Sequence, residues 1–269
     1  MTTVAQWLAQ EATGVELLEK QLLLTDFLGI SKTNILLHPE RQLSADEQAI
    51  LAQPLQQLKQ GKPYAYVTGQ REFWSLAFEV NEHVLIPRPE TELLVELILD
   101  QANPNDQILD MGTGSGAIAI AIKHSNPSLN LTACEKSTEA LAVAQNNAKT
   151  HQVDITWHLS HWFSQLPACQ YNFIVSNPPY IAANDPHLTQ LQHEPSEALV
   201  ANNNGLADLE DIIKQALDFL SRKGYLLLEH GYNQSQDVAL MMEQYGYINI
   251  RQHKDLAGIT RVTCGQKAT

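Results

Sequence analysis

A strand, a glycine-rich turn and a helix follow one another without a break in the middle of the chain, and this run constrains the fold most. Residues 107–111 are apolar enough for a buried strand, the turn Gly112–Gly116 follows, and residues 117–124 form an apolar, helix-compatible segment. Glycine allows positive φ and a close approach of the backbone to a ligand, and helix starts attract phosphate-like groups. The order of these segments therefore predicts an α/β domain with a nucleotide-cofactor loop.

The turn by itself does not identify the cofactor. Gly112, Gly114 and Ala117 also match the dinucleotide fingerprint G-x-G-x-x-G/A, which leaves a nicotinamide dinucleotide and S-adenosylmethionine both open. Glu135 ends the next predicted strand about 20 residues beyond the turn, as expected for an acid that binds ribose hydroxyls. Asp110 is either a residue that braces the turn or a carboxylate beside a sulfonium or amino group.

The tetrapeptide Asn177-Pro178-Pro179-Tyr180 leaves another predicted strand. Proline restricts φ and carries no N–H, so two prolines in succession make a stiff loop with free carbonyl oxygens. The side-chain oxygen of Asn177 and the carbonyl of Pro178 could accept both hydrogens of a substrate NH₂ group, and Tyr180 offers a flat face. This loop favours a site that holds a planar nitrogen while it is methylated, although a plain proline-rich turn is the alternative.

Strands and helices alternate from about residue 93 onward. The predicted strands span residues 107–111, 129–135, 154–158, 172–176 and 225–229, and two late strands, 247–251 and 260–264, are predicted to pair antiparallel. The predicted helices span residues 91–101, 117–124, 138–150, 208–221 and 234–245. Such alternation indicates a parallel sheet with helices on both faces and with ligands at the carboxyl ends of its strands. The residues at or just after such ends are Asp110, Glu135, Trp162 and Asn177.

The first part of the chain differs in character. Residues 1–70 are predicted to form a small helical domain, because their apolar residues share helical faces. Residues 71–92 predict a linking β-hairpin that includes Val84–Ile86, and residues 93–269 predict the cofactor domain. The helical domain is either a substrate-recognition domain or a packing appendage, and Arg88 either begins a helix or braces the wall of an active site.

The composition argues against several classes of protein. The net charge is −13, from 17 basic and 30 acidic residues with no basic run, which argues against a nucleic-acid substrate and favours a basic protein partner. Three cysteines without a CxxC pair and ten scattered histidines without a metal-ligand spacing predict no metal site. No apolar run approaches about 20 residues and no signal segment is evident, so we expect a cytoplasmic protein without a membrane span.

These motifs together resemble the glutamine methyltransferases that modify peptide chain release factors, and the similarity extends over nearly the whole chain. Its most specific pieces are Gly69–Trp74, Leu85–Glu92, Gly112–Gly116, Asn177–Tyr180, Glu194-Pro195 with Ala198-Leu199, and Leu226–Gly231. The stretch Arg88-Pro89-Glu90-Thr91-Glu92 discriminates best, because the sister family that modifies a ribosomal protein and the nucleic-acid amino-methyltransferases typically lack it. The resemblance implies a Rossmann-like, seven-stranded class I methyltransferase domain of the α/β class, preceded by a small helical bundle.

The resemblance also implies roles for individual residues. S-adenosylmethionine would be the cofactor, and the residues expected to bind it are Asp110, Gly112, Thr113, Gly114, Ser115, Gly116, Glu135, Trp162 and Asn177. Those expected to hold the substrate glutamine are Asn177, Pro178, Pro179 and Tyr180, and among these Asn177, Pro178 and Tyr180 would serve in catalysis. A peptide chain release factor would be the protein substrate, through the glutamine of its Gly-Gly-Gln motif.

Two positions depart from the family pattern. His161 stands where an acid near the adenine amino group is expected, and the loop Gly258–Arg261 lacks an asparagine before its arginine. Three alternatives stay open: a methyltransferase for exocyclic amino groups in RNA or DNA, a cofactor-binding module without catalysis, and a nicotinamide dehydrogenase. The acidic charge argues against the first, the intact Asn177–Tyr180 loop against the second, and the lack of a substrate-side acid and base against the third.

Overall fold

The computed structural model describes residues 2–269, which divide into two compact units with a boundary between Gln70 and Arg71. The first unit is mainly helical, and its elements are β1 (Thr2–Thr3), α1 (Val4–Ala9), α2 (Leu17–Leu28), α3 (Lys32–Leu37), β2 (Gln42–Leu43), α4 (Ala45–Lys59) and α5 (Tyr64–Thr68). Capping boxes open α1, α2 and α4. At the start of α4, Ser44 Oγ accepts from Glu47 N and the Glu47 carboxylate accepts from Ser44 N, so two of the free N–H donors at the helix start are satisfied.

An apolar core holds the helices of the first unit together. Its buried residues include Trp7, Leu23, Leu24, Leu43 and Leu51. Lys20 is buried as well, and its ammonium group donates to Leu8 O at 2.5 Å and to Gln10 O at 2.6 Å. These carbonyl groups lie at the end of α1, where the helix supplies no N–H partner of its own. Lys20 therefore stabilises the first unit by capping the carbonyl groups at the C-terminal end of α1.

The second unit is built around a seven-stranded sheet. The strands that follow the first unit are β3 (Gln70–Phe73), β4 (Leu76–Glu79), β5 (Gln107–Met111), β6 (Asn130–Glu135), β7 (Thr156–Leu159), β8 (Tyr171–Ser176), β9 (Ile181–Ala182), β10 (Val200–Ala201), β11 (Leu220–Glu229), β12 (Tyr247–Lys254) and β13 (Thr260–Lys267). β3 pairs with β4 and β9 with β10 in two small sheets, and the other strands form the large sheet. Its helices are α6 (Glu92–Leu99), α7 (Ala117–Ser125), α8 (Thr138–Thr150), α9 (Asn202–Gly205), α10 (Ala207–Phe219) and α11 (Ser235–Gln244). No helix within residues 2–269 is both long and apolar enough to cross a membrane.

The large sheet has the order β12-β13-β11-β8-β5-β6-β7. β13 runs antiparallel to both of its neighbours, and the remaining pairs of adjacent strands are parallel. The α/β prediction of a seven-stranded class I methyltransferase sheet after a helical unit is therefore confirmed. The antiparallel pairing of the two late strands is confirmed as well.

Both faces of the sheet are buried, which explains why its central strands are continuous apolar runs rather than alternating ones. Successive side chains of a strand point to opposite faces. In β5, Ile108 packs into one core cluster with residues of α6 and α7, whereas Leu109 and Met111 pack into another with residues of α10 and α11. The helices cover the two faces of the sheet but not the carboxyl ends of its strands, so a ligand can bind at those ends.

The β-hairpin is shorter than the sequence predicts. β3 and β4 are joined by Trp74 and Ser75, whose φ angles of 52° and 58° are left-handed. Val84–Ile86 lie outside any strand, so the prediction that they belong to the hairpin is wrong. Pro87 lacks the N–H that a strand needs, and the N–H of Ile86 donates instead to Glu194 Oε2 at 3.1 Å.

The loop after β8 is held from behind by a close backbone contact. Gly205 has φ 87°, and a Cβ added there would lie 2.1 Å from Tyr180 O and 2.7 Å from Tyr180 C. The same Tyr180 oxygen accepts from Gln234 Nε2 at 3.0 Å, and Gln234 Oε1 accepts from Gly231 N at 2.8 Å. Only glycine at position 205 lets the chain pass this closely, so the contact helps to fix the course of the loop.

Replacing Gly205 should reveal how much this contact matters. Gly246 is a matched control, because its φ of 89° is equally left-handed while a Cβ there meets nothing within 4 Å. We expect Gly246→Ala to lower the free energy of unfolding by about 1–2 kcal/mol through backbone strain alone. Gly205→Ala should lose roughly another 1–3 kcal/mol through overpacking. Urea unfolding of both variants checks this, and equal losses would contradict a tight contact at Gly205.

Candidate active site

A cavity of about 380 Å³ opens at the carboxyl edge of the sheet in the second unit, within the range of roughly 300–1,000 Å³ typical of ligand sites. Most of the predicted site residues line it, namely Gly112, Thr113, Gly114, Ser115, Glu135, Trp162, Asn177 and Pro179. Asp110, Gly116, Pro178 and Tyr180 are the predicted residues that do not line it. The structure thus brings together residues that follow the ends of β5, β6, β7 and β8.

The glycines of the loop after β5 differ in what surrounds them. A Cβ on Gly112 would lie 3.2 Å from the ring of Trp162, so this glycine leaves room for the indole. Gly114 has φ 56° and a Cβ there would meet nothing within 4 Å, because the space beyond it belongs to the cavity. Gly114 is therefore a point where the backbone can closely approach a bound ligand.

Glu135 ties this loop to the end of β6. Its Oε2 accepts from Gly114 N at 3.0 Å, and its Oε1 accepts from Lys136 N at 2.8 Å and Ser137 N at 3.1 Å. A carboxylate offers about four acceptor positions, so three backbone donors leave one for a ligand hydroxyl. The arrangement is compatible with the predicted ribose contact.

Asp110 braces the loop from below. Its side chain is fully buried, and Oδ2 accepts from Thr113 Oγ1 at 2.6 Å and from Ala119 N at 3.2 Å. Burial raises the pKa of this carboxyl to about 7, with the nearby Glu135 carboxylate adding to the rise. Oδ1 is buried without a hydrogen-bond partner. Such an orphaned acceptor costs free energy, and a ligand amino group or a bridging water would supply the missing donor.

Trp162 packs against Gly112 and lines the cavity beside the glycine loop. Its backbone is left-handed, with φ 46°, and its indole Nε1 donates to Asp208 Oδ1 at 3.1 Å. His161 lines the cavity beside it, with the two ring centroids 5.6 Å apart. Sequence reasoning missed Asp208, which lies on α10 and is not marked by any local motif. The two rings are inclined by 52°, so the indole alone offers a flat face suited to a nucleobase.

Asn177 is anchored through its amide nitrogen. Nδ2 donates to Thr91 Oγ1 at 3.1 Å, and Thr91 comes from the stretch that best distinguishes the family. Because Asn177 also lines the cavity, its carbonyl oxygen is the end of the amide that remains available as an acceptor. Asn177 can therefore accept a hydrogen bond from a substrate NH₂ group.

Tyr180 and Glu229 lie behind Asn177. The Tyr180 hydroxyl donates to Glu229 Oε1 at 3.3 Å. Glu229 ends β11, is 1% exposed, and has an Oε2 atom without a hydrogen-bond partner. Burial raises its pKa to about 7, while the nearby hydroxyl groups of Thr91 and Tyr180 oppose the rise. Sequence reasoning assigned Glu229 no role, although it is an acid at a strand end like Asp110 and Glu135.

Arg88 braces the rim of the cavity. Its guanidinium pairs with Glu194 Oε1 at 2.5 Å, and Glu194 is almost completely buried. The other oxygen of Glu194 accepts from Ile86 N at 3.1 Å. This carboxylate thereby joins the segment before α6 to the segment after β9, which both contribute cavity-lining residues. Of the two readings of Arg88, the bracing one agrees with this geometry.

Comparison with known proteins gives consistent matches over most of the chain. A model described as Methyltransferase small domain matches residues 89–203, and one described as PrmC N-terminal domain matches residues 2–69. A release factor glutamine methyltransferase of Coxiella burnetii is 42% identical over 254 residues, which cover 93% of this chain and 91% of that protein. One of Salmonella typhimurium is 43% identical over 252 residues, which cover 92% and 91%.

The fold also matches solved structures. The crystal structure of a methyltransferase from Pyrococcus furiosus aligns with a TM-score of 0.56 at 16% identity, covering 72% of this chain and 90% of that one. At this identity the similarity concerns the fold alone. The match to a methyltransferase domain supports S-adenosylmethionine as the cofactor, and the open space at Gly114 and the orphaned oxygen of Asp110 fit such a ligand.

We expect Gly114→Val to abolish binding of S-adenosylmethionine, because a branched side chain would fill the space where the backbone meets the ligand. Gly258→Val is a matched control, since Gly258 also has positive φ and open surroundings but lies outside the cavity. Calorimetric titration of the folded variants checks the expectation. Wild-type affinity in Gly114→Val, or tighter binding of a nicotinamide dinucleotide by the wild type, would contradict it.

Proposed function

Because the chain belongs to the release factor glutamine methyltransferase family, we propose that it methylates the side-chain amide nitrogen of a glutamine in peptide chain release factors. The matches to relatives and to the methyltransferase domain confirm the family predicted from the sequence motifs. They also confirm the class of enzyme, a protein-glutamine N-methyltransferase that uses S-adenosylmethionine. The finer proposal names the acceptor as the glutamine of a Gly-Gly-Gln motif. A protein substrate fits a chain with a net charge of −13 better than a nucleic acid does.

The orientation of the Asn177 amide is the observation that carries this proposal. Its nitrogen is held by Thr91, which leaves its oxygen as an acceptor at the cavity. The carbonyl of Pro178 follows directly in the chain and would be the second acceptor. A glutamine side chain presents two N–H bonds from one nitrogen, and two adjacent acceptors are the arrangement that can hold both.

Holding both N–H bonds addresses the chemical difficulty of the reaction. An amide nitrogen is a poor nucleophile because its lone pair is delocalised into the carbonyl group. Fixing the NH₂ plane with Asn177 and Pro178 aims the lone pair at the methyl group that S-adenosylmethionine supplies when bound. Positioning of this kind and electrostatic stabilisation are the main contributions that such a site can make. The proton leaves the nitrogen after the methyl group has been transferred, so the chain need not supply a strong base.

The remaining cavity residues would hold the cofactor. We assign the loop Gly112–Ser115 to its amino-acid and ribose portions and Glu135 to the ribose hydroxyls. The pair His161 and Trp162 would lie against the adenine. His161 would replace the acid that family members carry near the adenine amino group, leaving Trp162 as the principal contact. Asp110 would contribute its unpaired oxygen from beneath the loop.

Replacing Asn177 should separate methyl transfer from cofactor binding. Asn177→Ala removes one acceptor and should lower turnover on a release factor by about 10²-fold, with the affinity for S-adenosylmethionine largely unchanged. Asn146→Ala, in an exposed position on α8, is the control. Release factors are incubated with each enzyme and the cofactor, and mass spectrometry of their peptides measures the extent of methylation. Near wild-type turnover in Asn177→Ala would refute this role, and methylation of RNA or DNA but of no release factor would refute the proposed function.

We also propose that the first unit selects the protein substrate. The loop Asn177–Tyr180 could accept a free glutamine, so the choice of one glutamine in one protein requires surface beyond the pocket. The first unit exposes large apolar side chains, with Leu36 and Leu37 on α3 73% and 67% exposed. Leu36 and Leu37 are neighbours in the chain, and contiguous exposed apolar surface can mark a protein contact.

Substitutions on α3 test this role without removing any part of the chain. The double variant Leu36→Ser, Leu37→Ser should raise KM for an intact release factor about tenfold, the effect of roughly 1.4 kcal/mol of lost contact. Its rate on a short glutamine peptide should stay unchanged. Leu256→Ser is the control, because Leu256 is fully exposed in the second unit. Equal effects on peptide and protein would mean that the helical unit serves only the stability of the enzyme.

A further inference from the structure

Asn147 on α8 joins the cofactor loop, Gly112–Gly116, to strand β4 of the hairpin through three hydrogen bonds. Its Oδ1 atom accepts from Glu79 N at 2.7 Å, and its Nδ2 atom donates to Glu79 O at 3.0 Å and to Ser115 O at 2.9 Å. The side chain is 2% exposed and does not line the cavity. Any effect of Asn147 on a bound cofactor is therefore exerted through these two neighbours.

The three bonds fix the Asn147 amide in one orientation. An asparagine amide has two N–H donors, and here the carbonyl groups of Glu79 and Ser115 take both. Turning the amide by 180° would place its oxygen against these two carbonyl oxygens and its NH₂ group against the N–H of Glu79. Buried groups that lose their partners in this way cost free energy, so the fold keeps the three bonds together.

The contact with Ser115 is reinforced by packing one turn earlier on α8. Gly116 has φ 83°, and a Cβ added there would lie 3.2 Å from Ala144 Cβ and 3.4 Å from Ala144 Cα. Ala144 and Asn147 are three residues apart, so they share one face of the helix. The cofactor loop thus rests on this face at Gly116, and Asn147 holds the carbonyl group of Ser115, a residue that lines the cavity.

The bonds to Glu79 fix a second segment that leads to the cavity. β3 and β4 form a sheet of their own, and a two-stranded hairpin is only marginally stable without further contacts. The chain that leaves β4 after Glu79 goes on to supply cavity-lining residues between Glu82 and Arg88. Asn147 is therefore bonded both to the cofactor loop and to the strand that precedes another part of the cavity wall.

We propose that Asn147 is a positioning residue for S-adenosylmethionine, which holds the cofactor loop in its binding geometry and couples that loop to β4. An amide bonded to both segments raises the free-energy cost of moving either of them alone. The loop of the free enzyme is thereby held ready for the ligand, and a loop that is already ordered costs less to bind than one that must be ordered. The inference concerns the cofactor, so it does not depend on which substrate receives the methyl group.

Coupling through Asn147 predicts an effect of the cofactor outside the cavity. A ligand that holds Ser115 in place also holds the Asn147 amide, and this amide accepts the N–H of Glu79. S-adenosylmethionine should therefore slow hydrogen exchange in β4, although no residue of β4 lines the cavity. Ligand binding also slows exchange that proceeds through global unfolding. The edge strand β12, which does not line the cavity either, is the reference for that general effect.

Three variants of the intact chain test the inference. Asn147→Ala removes all three hydrogen bonds. His151→Ala is the matched control, because His151 Nε2 bonds to Ala77 O in β4 at 2.8 Å and thus attaches α8 to the hairpin without a bond to the cofactor loop. Asn146→Ala replaces the exposed neighbour of Asn147 on α8. Calorimetric titration measures the affinity for S-adenosylmethionine, urea unfolding measures stability, and mass spectrometry measures hydrogen exchange in β4 and β12 with and without the cofactor.

We expect Asn147→Ala to weaken binding of S-adenosylmethionine about tenfold, the effect of a binding-competent loop that is populated about one tenth of the time. The cofactor should then no longer slow exchange in β4 beyond its effect on β12. His151→Ala should lower the free energy of unfolding but keep the wild-type affinity and the protection of β4 by the cofactor. Asn146→Ala should match the wild type in affinity and in exchange.

The outcomes distinguish a positioning role from a merely structural one. An Asn147→Ala variant that loses stability but binds the cofactor like the wild type would overturn the positioning role. An equal loss of affinity in His151→Ala would do the same, because any weakening of the hairpin would then suffice. If Asn147→Ala does not fold, the wild type decides, since equal slowing of exchange in β4 and β12 would overturn the coupling. A wild type that shows the coupling but methylates no release factor would overturn the proposed function alone.

Discussion

The parallel pairing of β5 with β6 and β8 is the interaction on which the site depends. Met111 pairs with Cys134 on one side and with Ser176 on the other. The residues that follow this row are Gly112, Glu135 and Asn177, which all line the cavity. The register of backbone hydrogen bonds thus sets the cofactor loop, the proposed ribose acid and the proposed glutamine holder side by side. A shift of one residue in either pairing would turn these side chains to the other face of the sheet.

Three buried carboxyl groups at this edge are held in different ways. Glu135 is satisfied by three backbone N–H groups, whereas Asp110 and Glu229 each keep one oxygen without a partner. An unpaired buried oxygen costs stability, and for both groups burial raises the pKa to about 7. Costs of this kind concentrate at functional sites, because the same groups must respond to a ligand. The second unit therefore gives up stability at the edge where its chemistry is expected.

Local patterns predicted the regular elements well, and they failed where distant residues decide the backbone. The helix α8 and the strand β5 were predicted with their observed ends, since periodicity and flanking turn residues act within a few positions. Val84–Ile86 have the composition of a strand, yet Glu194, which is far along the chain, accepts the N–H of Ile86. Gly205 likewise carries no signal for its contact with Tyr180, because that contact exists only once β8 and α9 are in place.

The sequence by itself determined the class of fold, the glycine loop, the Asn177–Tyr180 loop and the family. It could do so because glycine and proline restrict the backbone locally and apolar periodicity reports local burial. Only the tertiary structure decided that Thr91 holds the nitrogen of Asn177, that Asp208 anchors Trp162 and that Glu229 lies behind the site. These contacts join residues far apart in the chain, and a side chain's type states which bonds it can make but not which partner the fold will bring to it.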